Sequence, residues 1–504
     1  MAHNEDDQEP TMNELWARVN PNNDLETRAE ALKQISMRLA RAEDYFGAVS
    51  AAQTLGQLYE EAGDVVEAGF AHCYAGLQFM AAEEYTDAQK EFRASVDAFD
   101  KSTSDAGLAE ALRHLGFAYK ATGDHNQAID AWHSAIRILE CTGENTAAGV
   151  LKLEIGERQV ANNQHELAIE NFESANRLFE EVSDLIGVAR SQQRIGKALV
   201  ALGRASEAIV RLDIAIGMFT YLEEKHRNMF AKLDLGKAHL AAGFLDSAYS
   251  ILEDVATEFK ASSHHEANGD CQVQLSQISR SRGDLVQAAA QEKLARLIFA
   301  GCGAKAKVRS IDLARSMRMV HSGDSLEAEE LLSNLLVEAG EEAQNEDLRE
   351  VAVQLASIYI GWQQPERALQ VLTRYEEFQG EWLFDQQIRW HNCHASALIA
   401  LGRFAEARPH LEKAIAVDKG DLAPAEVGRA YELLAHTMAE SQLTHRKEVL
   451  GQSVAYYLQA GEAESAKRVS AALLPESPLQ ALGFVREADG QLAFLFDANS
   501  LPEQ

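Results

Sequence analysis

The stretch Leu108–Leu139, LAEALRHLGFAYKATGDHNQAIDAWHSAIRIL, decides the fold. Its apolar residues Leu108, Leu112, Leu115 and Tyr119 return every three or four positions, the spacing that places them on one helical face. Gly123 follows, a residue suited to the left-handed conformation that ends a helix. Asp124 and Gln127 then have the spacing of a capping box, a start signal for the next helix. Ala128, Trp132, Ala135 and Leu139 carry that second helix onward. The stretch therefore reads as helix A, tight turn, helix B.

The same marks repeat across the chain at a period of forty residues. Gly76, Gly116, Gly156, Gly196 and Gly236 form one ladder, continued by Ser36 before them and by Ser276, Ser316 and Ala356 after them. Twelve residues beyond each lies an alanine, from Ala48 through Ala88, Ala128, Ala168, Ala208, Ala248, Ala288 and Ala328 to Ala368. Gly123, Gly203, Gly243, Gly283 and Gly323 mark the turn between the two ladders, and Asp284 with Gln287 and Asp324 with Glu327 repeat the capping-box spacing. A third ladder, Tyr59, Phe99, Leu139, Phe179, Phe219, Phe259 and Phe299, falls near the end of helix B, where large apolar residues stack neighbouring repeats into a continuous core. The small residues of the first ladder let two antiparallel helices approach closely. No proline occurs between Pro21 and Pro365, so nothing there breaks a helix, and the body is predicted to be all-α.

These marks resemble the tetratricopeptide repeat family, whose pattern has a Leu-Gly pair and an aromatic in helix A, then Ala, aromatic and Ala in helix B. One repeat supplies Leu115-Gly116, Tyr119, Ala128, Trp132 and Ala135, and the next supplies Ile155-Gly156, Ala168, Phe172 and Ala175. The repeat departs from the usual thirty-four residues and resembles a longer-helix branch found in bacterial signal-sensing regulators and some eukaryotic adaptors. The resemblance covers residues 25 to about 474 and implies a right-handed superhelical solenoid of antiparallel helix pairs.

Irregularities divide the chain. Residues 1–24 are acidic and polar and read as a flexible leader with a helical turn around Leu15–Trp16. Regular repeats span 25–301, and the aromatic ladder then fails at Ala339. Less regular repeats span 302–474, with the register slipping by one to Ala395 and Ala407, and with Pro365 and Pro424 near helix starts. The tail, 475–504, has a hairpin pattern around Asp489-Gly490, read as a cap or a partner-binding tail.

The net charge is −31, from 78 acidic and 47 basic residues, a balance ill suited to direct nucleic-acid binding. The five cysteines are scattered without a CxxC pair, so neither a disulfide framework nor a zinc site is expected. No stretch approaches the ~20 apolar residues of a membrane span, and the N-terminus lacks a secretory pattern. A cytoplasmic protein without membrane attachment follows as the expectation.

Catalytic constellations are weak. Gly301, Gly303 and Lys305 lack the strand and the Gly-Lys-Ser/Thr ending of a phosphate loop. Neither His264, His265, Glu266 and Cys271 nor His391, Cys393 and His394 presents an evident set of four metal ligands. We expect no enzyme, no cofactor and no metal.

The resemblance instead implies a groove. In tetratricopeptide solenoids helix A lines the concave face, with the residues six and three before the small residue, and one and four after it, pointing inward. Those offsets select Arg113, Phe117, Lys120, Arg190, Gln193, Lys197, Lys237 and Arg280. Such a basic strip in an acidic protein favours an acidic or carboxylate-bearing segment of a protein or peptide partner. In the first of the glycine-ladder units the offsets select an apolar row, Phe70, Cys73, Leu77 and Met80, suited to the leader or a partner helix, or to simple packing against the first two helices. The expected role is a protein-interaction scaffold or adaptor. The alternative is the sensory module of a bacterial regulator, binding a signalling peptide or small ligand. Against it, only Asn392 supplies a groove asparagine of the kind that clamps peptide backbone, and no helix-turn-helix domain is recognisable.

Overall fold

A computed structural model describes residues 10–102, 104–339, 347–375, 384–417, 423–439, 442–472, 484–486 and 492–494. It is an all-α repeat solenoid. The described helices begin with α1 (Met12–Arg18), α2 (Leu25–Arg41), α3 (Tyr45–Ala62), α4 (Val65–Ala81), α5 (Tyr85–Asp100), α6 (Asp105–Thr122), α7 (His125–Thr142) and α8 (Asn145–Ala161). Next come α9 (His165–Glu181), α10 (Leu185–Ala201), α11 (Ala205–Tyr221), α12 (Lys225–Ala241), α13 (Leu245–Ala261), α14 (His265–Ser281), α15 (Leu285–Gly301) and α16 (Lys305–Ser322). The series ends with α17 (Ser325–Ala339), α18 (Asp347–Gly361), α19 (Pro365–Arg374), α20 (Phe384–Ala400), α21 (Phe404–Val417), α22 (Pro424–His436), α23 (Leu443–Gln459) and α24 (Ala463–Ala472). From α2 to α23 the even-numbered helices are the A helices and the odd-numbered ones the B helices. The chain forms two compact units, Met1–Ile298 and Phe299–Gln504.

The first ladder is a contact between the two helices of a repeat. A Cβ on Gly76, Gly116, Gly156, Gly196 or Gly236 would lie 2.2 to 2.7 Å from Phe92, Trp132, Phe172, Leu212 or Leu252, the large residue of the partner B helix. Where serine holds the position, its hydroxyl reaches the other helix: Ser36 Oγ donates to the Ala48 carbonyl at 2.6 Å, and Ser276 Oγ to that of Ala288 at 3.0 Å. The alanine ladder is buried throughout. So is the aromatic ladder, and its rings wedge between successive A helices. Phe99 stands against Gly69 of α4 and Gly107 of α6, and Phe179 against Gly149 of α8 and Gly187 of α10.

The turns have a finer period than the sequence pattern. A residue with positive φ occurs every twenty residues from Glu43 to Gln363, apart from positions 103 and 343, which lie outside the described residues. Glycine serves at Gly123 and Gly203, as expected. The same left-handed turn is made by Glu83, Asn163, Ser183, Glu223 and Ser263, with φ between 57 and 60°. The connection from B to A is thus the same turn as that from A to B. At Gly123 the ladder is closed by Asp124 N–H donating to the Tyr119 carbonyl at 2.9 Å.

Not every capping signal acts as one. Asp284 accepts from the Gln287 amide at 2.9 Å. Asp124 makes no side-chain cap and instead accepts from Thr122 Oγ1 at 2.8 Å, so the Asp124–Gln127 expectation is corrected. A side chain in the tight turn offers a competing donor that the three-residue spacing does not reveal.

The helical turn expected around Leu15–Trp16 is α1, and residues 1–9 of the leader lie outside the described residues. Thr11 and Glu14 form a capping box at α1, and Leu15 is fully buried in the cluster with Leu32, Ile35 and Leu55. The helix therefore packs on α2, in a cluster that extends to Leu55 of α3, whereas Cys73, Leu77 and Met80 belong to the next core cluster, with Phe92 and Leu115. Pro365 and Pro424 occupy the first turns of α19 and α22. Near the C-terminus β1 (Phe484–Arg486) and β2 (Leu492–Phe494) pair antiparallel, with Val485 opposite Ala493. The Asp489-Gly490 turn lies outside the described residues.

Candidate functional site

A forty-residue period repeats each A-helix position on the next A helix. Residues at one offset from the ladder therefore stand side by side along the face these helices share. Lys197 of α10 and Lys237 of α12 both follow a ladder glycine, Gly196 and Gly236. Both act on Asp234, only 8% exposed, whose Oδ2 accepts from Gln193 Nε2 at 2.7 Å. Burial raises the Asp234 carboxyl above its ordinary range, opposed by Lys197, Gln193, Lys237 and Arg194. One buried carboxylate thus has at least three cationic side chains acting on it.

Lys197 is exposed, while Lys237 and Arg190 are half-buried. None of the three makes an ion pair or side-chain hydrogen bond among the described residues. Burial, reinforced by the nearby Arg194 and Arg227 guanidiniums, depresses Arg190, with Glu157 and Glu154 opposing. Arg194 and Arg227 are engaged: Arg194 Nε donates to Glu157 Oε1 of α8 at 2.6 Å, and Arg227 pairs with Glu224 at 3.4 Å. The α10–α12 stretch of the A-helix face therefore holds a local cationic surplus.

The other expected groove residues are committed to the scaffold. Arg113 pairs with Glu110 one turn away, at 2.5 Å, and its carbonyl accepts from Trp132 Nε1 at 3.3 Å. Phe117 packs its ring edge-to-face on Trp132, with centroids 5.4 Å apart. Lys120 crosses to Glu154 of α8 at 2.5 Å. Arg280 pairs with Glu292 of α15 at 2.8 Å and reaches Ser276 Oγ at 3.3 Å. The offsets omitted Asp234, Arg194 and Glu154, which lie two residues before the ladder position and bridge adjacent A helices.

Asn392, the one groove asparagine, is buried and donates to the Glu426 carbonyl at 2.8 Å. Among the described residues no group of three His, Cys, Asp or Glu side chains is placed to hold a metal ion. Gly303 forms an ordinary left-handed turn between α15 and α16. Burial pushes the Cys73 and Cys393 thiols up to about 11 and the Cys271 thiol to about 12, which keeps them protonated. No helix among the described residues is long and apolar enough to cross a membrane.

A family model described as a tetratricopeptide repeat matches residues 394–421. No curated protein sequence matches the chain. Among solved structures, the chain is similar to the apo form of the quorum sensor NprR from B. thuringiensis, at 12% identity and a TM-score of 0.47, over 68% of this chain and 99% of that one. It is similar also to the apo form of RapI, at 14% identity and a TM-score of 0.44, over 52% of this chain and 94% of that one. A third is the tetratricopeptide-repeat STAND protein PH0952 from Pyrococcus horikoshii, at 12% identity and a TM-score of 0.49, over 57% of this chain and 44% of that one.

Proposed function

We propose that this chain, a tetratricopeptide-repeat solenoid, is a non-enzymatic scaffold that binds an acidic segment of a protein partner on the A-helix face of α10 and α12. One observation carries the reading: among the described residues Lys197, Lys237 and Arg190 make no ion pair, while Arg113, Lys120, Arg194 and Arg280 around them are tied to carboxylates. Paired cations hold helices together, whereas unpaired ones on a shared face are available to a ligand. The chain's negative field works against an acidic ligand at long range, so recognition rests on short-range contact with these three side chains. Three cations spread over adjacent A helices match the spaced carboxylates of an extended acidic peptide better than a single small anion.

The test is fluorescence anisotropy with labelled Glu- and Asp-rich peptides on the full chain and on Lys197→Glu/Lys237→Glu. The expected result is a loss of at least about tenfold in affinity on double charge reversal, growing at low salt. Equal affinity for both proteins would place binding elsewhere and remove the groove reading.

A further inference from the structure

A second place departs from the repeat in a way that packing does not explain. The residue before the ladder position is Ile35, Leu115, Ile155, Ile195, Leu235, Leu275 or Leu355 in seven repeats, and each is buried core. In the repeat of α20 and α21 His394 holds that place and is 4% exposed. Its Nε2 is buried and meets no hydrogen-bond partner among the described residues. An unsatisfied buried polar atom costs stability that leucine there would avoid. Two further imidazoles adjoin it. His410 of α21 stacks on His394 with ring centres 4.7 Å apart, and His391 Nδ1 lies 3.1 Å from His410 Nδ1.

His394 and His410 line a cleft of about 680 Å³ between α19 and α21, over α20. That volume is within the range of small-molecule sites. Leu369, Leu398 and Leu401 give it an apolar wall, and Arg374 and Arg403 lie at its polar margin. Its acidic groups do not neutralise the imidazoles. Glu406 is held by Arg403 at 2.7 Å, and Glu366, like Glu406, is not among the charges acting on His391 or His394. On the sides of α20 facing its other neighbours, Glu350 of α18 pairs with Arg389 at 3.1 Å and Glu426 of α22 accepts from Asn392. The charges that do reach His391 are those of His410 and Lys413, and those that reach His394 are those of His410 and His391.

We propose that this cleft binds a small organic monocarboxylate, with its carboxylate against His394 and His410 and its apolar body along Leu369, Leu398 and Leu401. The site shares no residue with the A-helix groove and stands independently of the reading given for it. The His394 Nε2–H donates to the carboxylate and so gains the partner it lacks. Burial, with His410 and His391, pushes the His394 imidazole down to about 3, and burial with His410 and Lys413 holds His391 at about 4. An entering carboxylate favours the imidazolium, so binding takes up a proton and tightens as pH falls.

The test is calorimetric titration of the full chain with octanoate at pH 7.5 and 6.0, with octanol as the uncharged control. Octanoate is expected to bind at least about threefold tighter at pH 6.0, with octanol at least about tenfold weaker than octanoate. His394→Leu, which gives this repeat the residue type of seven others, is expected to fold and to lose octanoate binding. In the unsubstituted chain octanoate should also move an imidazole titration upward by proton NMR, a readout that does not depend on how any variant folds. Absence of octanoate binding, equal affinity for octanol, or unchanged binding by a folded His394→Leu would each overturn the proposal.

Discussion

At the scale of the residue, a ladder glycine is defined by what stands opposite it. Trp132 is fixed by its indole donation to the Arg113 carbonyl and by Phe117 at its edge, so it has little room to yield to a Cβ at Gly116, 2.2 Å from its Nε1. Gly116→Ala gains about 1 kcal/mol of helix propensity and incurs an overpacking cost of about 1–3 kcal/mol. The expected net is a loss of up to about 2 kcal/mol in urea unfolding. Gly217 of α11 is exposed, with nothing within 4 Å of a Cβ, so Gly217→Ala should gain about 0.5–1 kcal/mol. A shared sign for the two substitutions would remove packing as the reason for the ladder. The ladder was legible because its period is strict. The second glycine set, Gly69, Gly107, Gly149 and Gly187, was not, because it answers only to Phe99 and Phe179, while at Phe219 and Phe259 the same places hold Ala189 and Arg227, and Met229 and Ala267.

At the scale of the element, the unit of construction is a helix plus its turn, twenty residues long, used twice per repeat. The sequence pattern showed one turn because glycine marks it, and concealed the other where Ser183, Glu223 and Ser263 adopt the same geometry. A left-handed conformation costs an ordinary L-residue about 1–2 kcal/mol, and asparagine pays less because its side chain tolerates that region. Glu223→Gly is therefore expected to raise stability by about 1 kcal/mol, offset in part by the freer unfolded chain. Asn163→Gly should raise it by less than half as much. Denaturation midpoints with the order reversed would show that Glu223 is held by something other than the turn. The groove was legible to the same partial extent. Offsets from the ladder identified an A-helix face, and on it Lys197, Lys237 and Arg190. They could not show that Lys120 and Arg280 are occupied, because their partners, Glu154 and Glu292, lie on helices whose approach is set by tertiary packing.

At the scale of the whole molecule, the two compact units should respond to acid with opposite sign. In the first, His72 lies 2.8 Å from Glu91 and 3.3 Å from Glu60; the Glu91 hydrogen bond, against burial and with help from Glu60, raises its imidazole above the ordinary value. A raised group contributes stability that is complete below the unfolded pKa, near 6.5, and is lost as pH rises through the folded value. Acidification from pH 7.5 to 5 therefore strengthens that contact. Glu110, which the His114 hydrogen bond and Arg113 hold down to about 2 against burial, gives nothing back until the pH approaches the carboxylate range. In the second unit His391 and His394 are depressed, to about 4 and about 3, so below pH 6.5 the unfolded chain takes up protons that the folded one refuses. By pH 5 the cluster should have lost on the order of 2 kcal/mol of local stability. The pair His391 and His394 was visible in the sequence as a doubtful metal motif. Its meaning was not, because His410 and the cleft reach it only through the packing of α21 on α20. Hydrogen exchange followed by mass spectrometry at pH 7.5 and 5, corrected for intrinsic rates, should show α20 and α21 losing protection while α4 and α5 keep or gain it. Uniform loss across both units would mean that acid acts through overall charge, and His394→Leu, by flattening the response of α20 and α21 alone, separates the two causes.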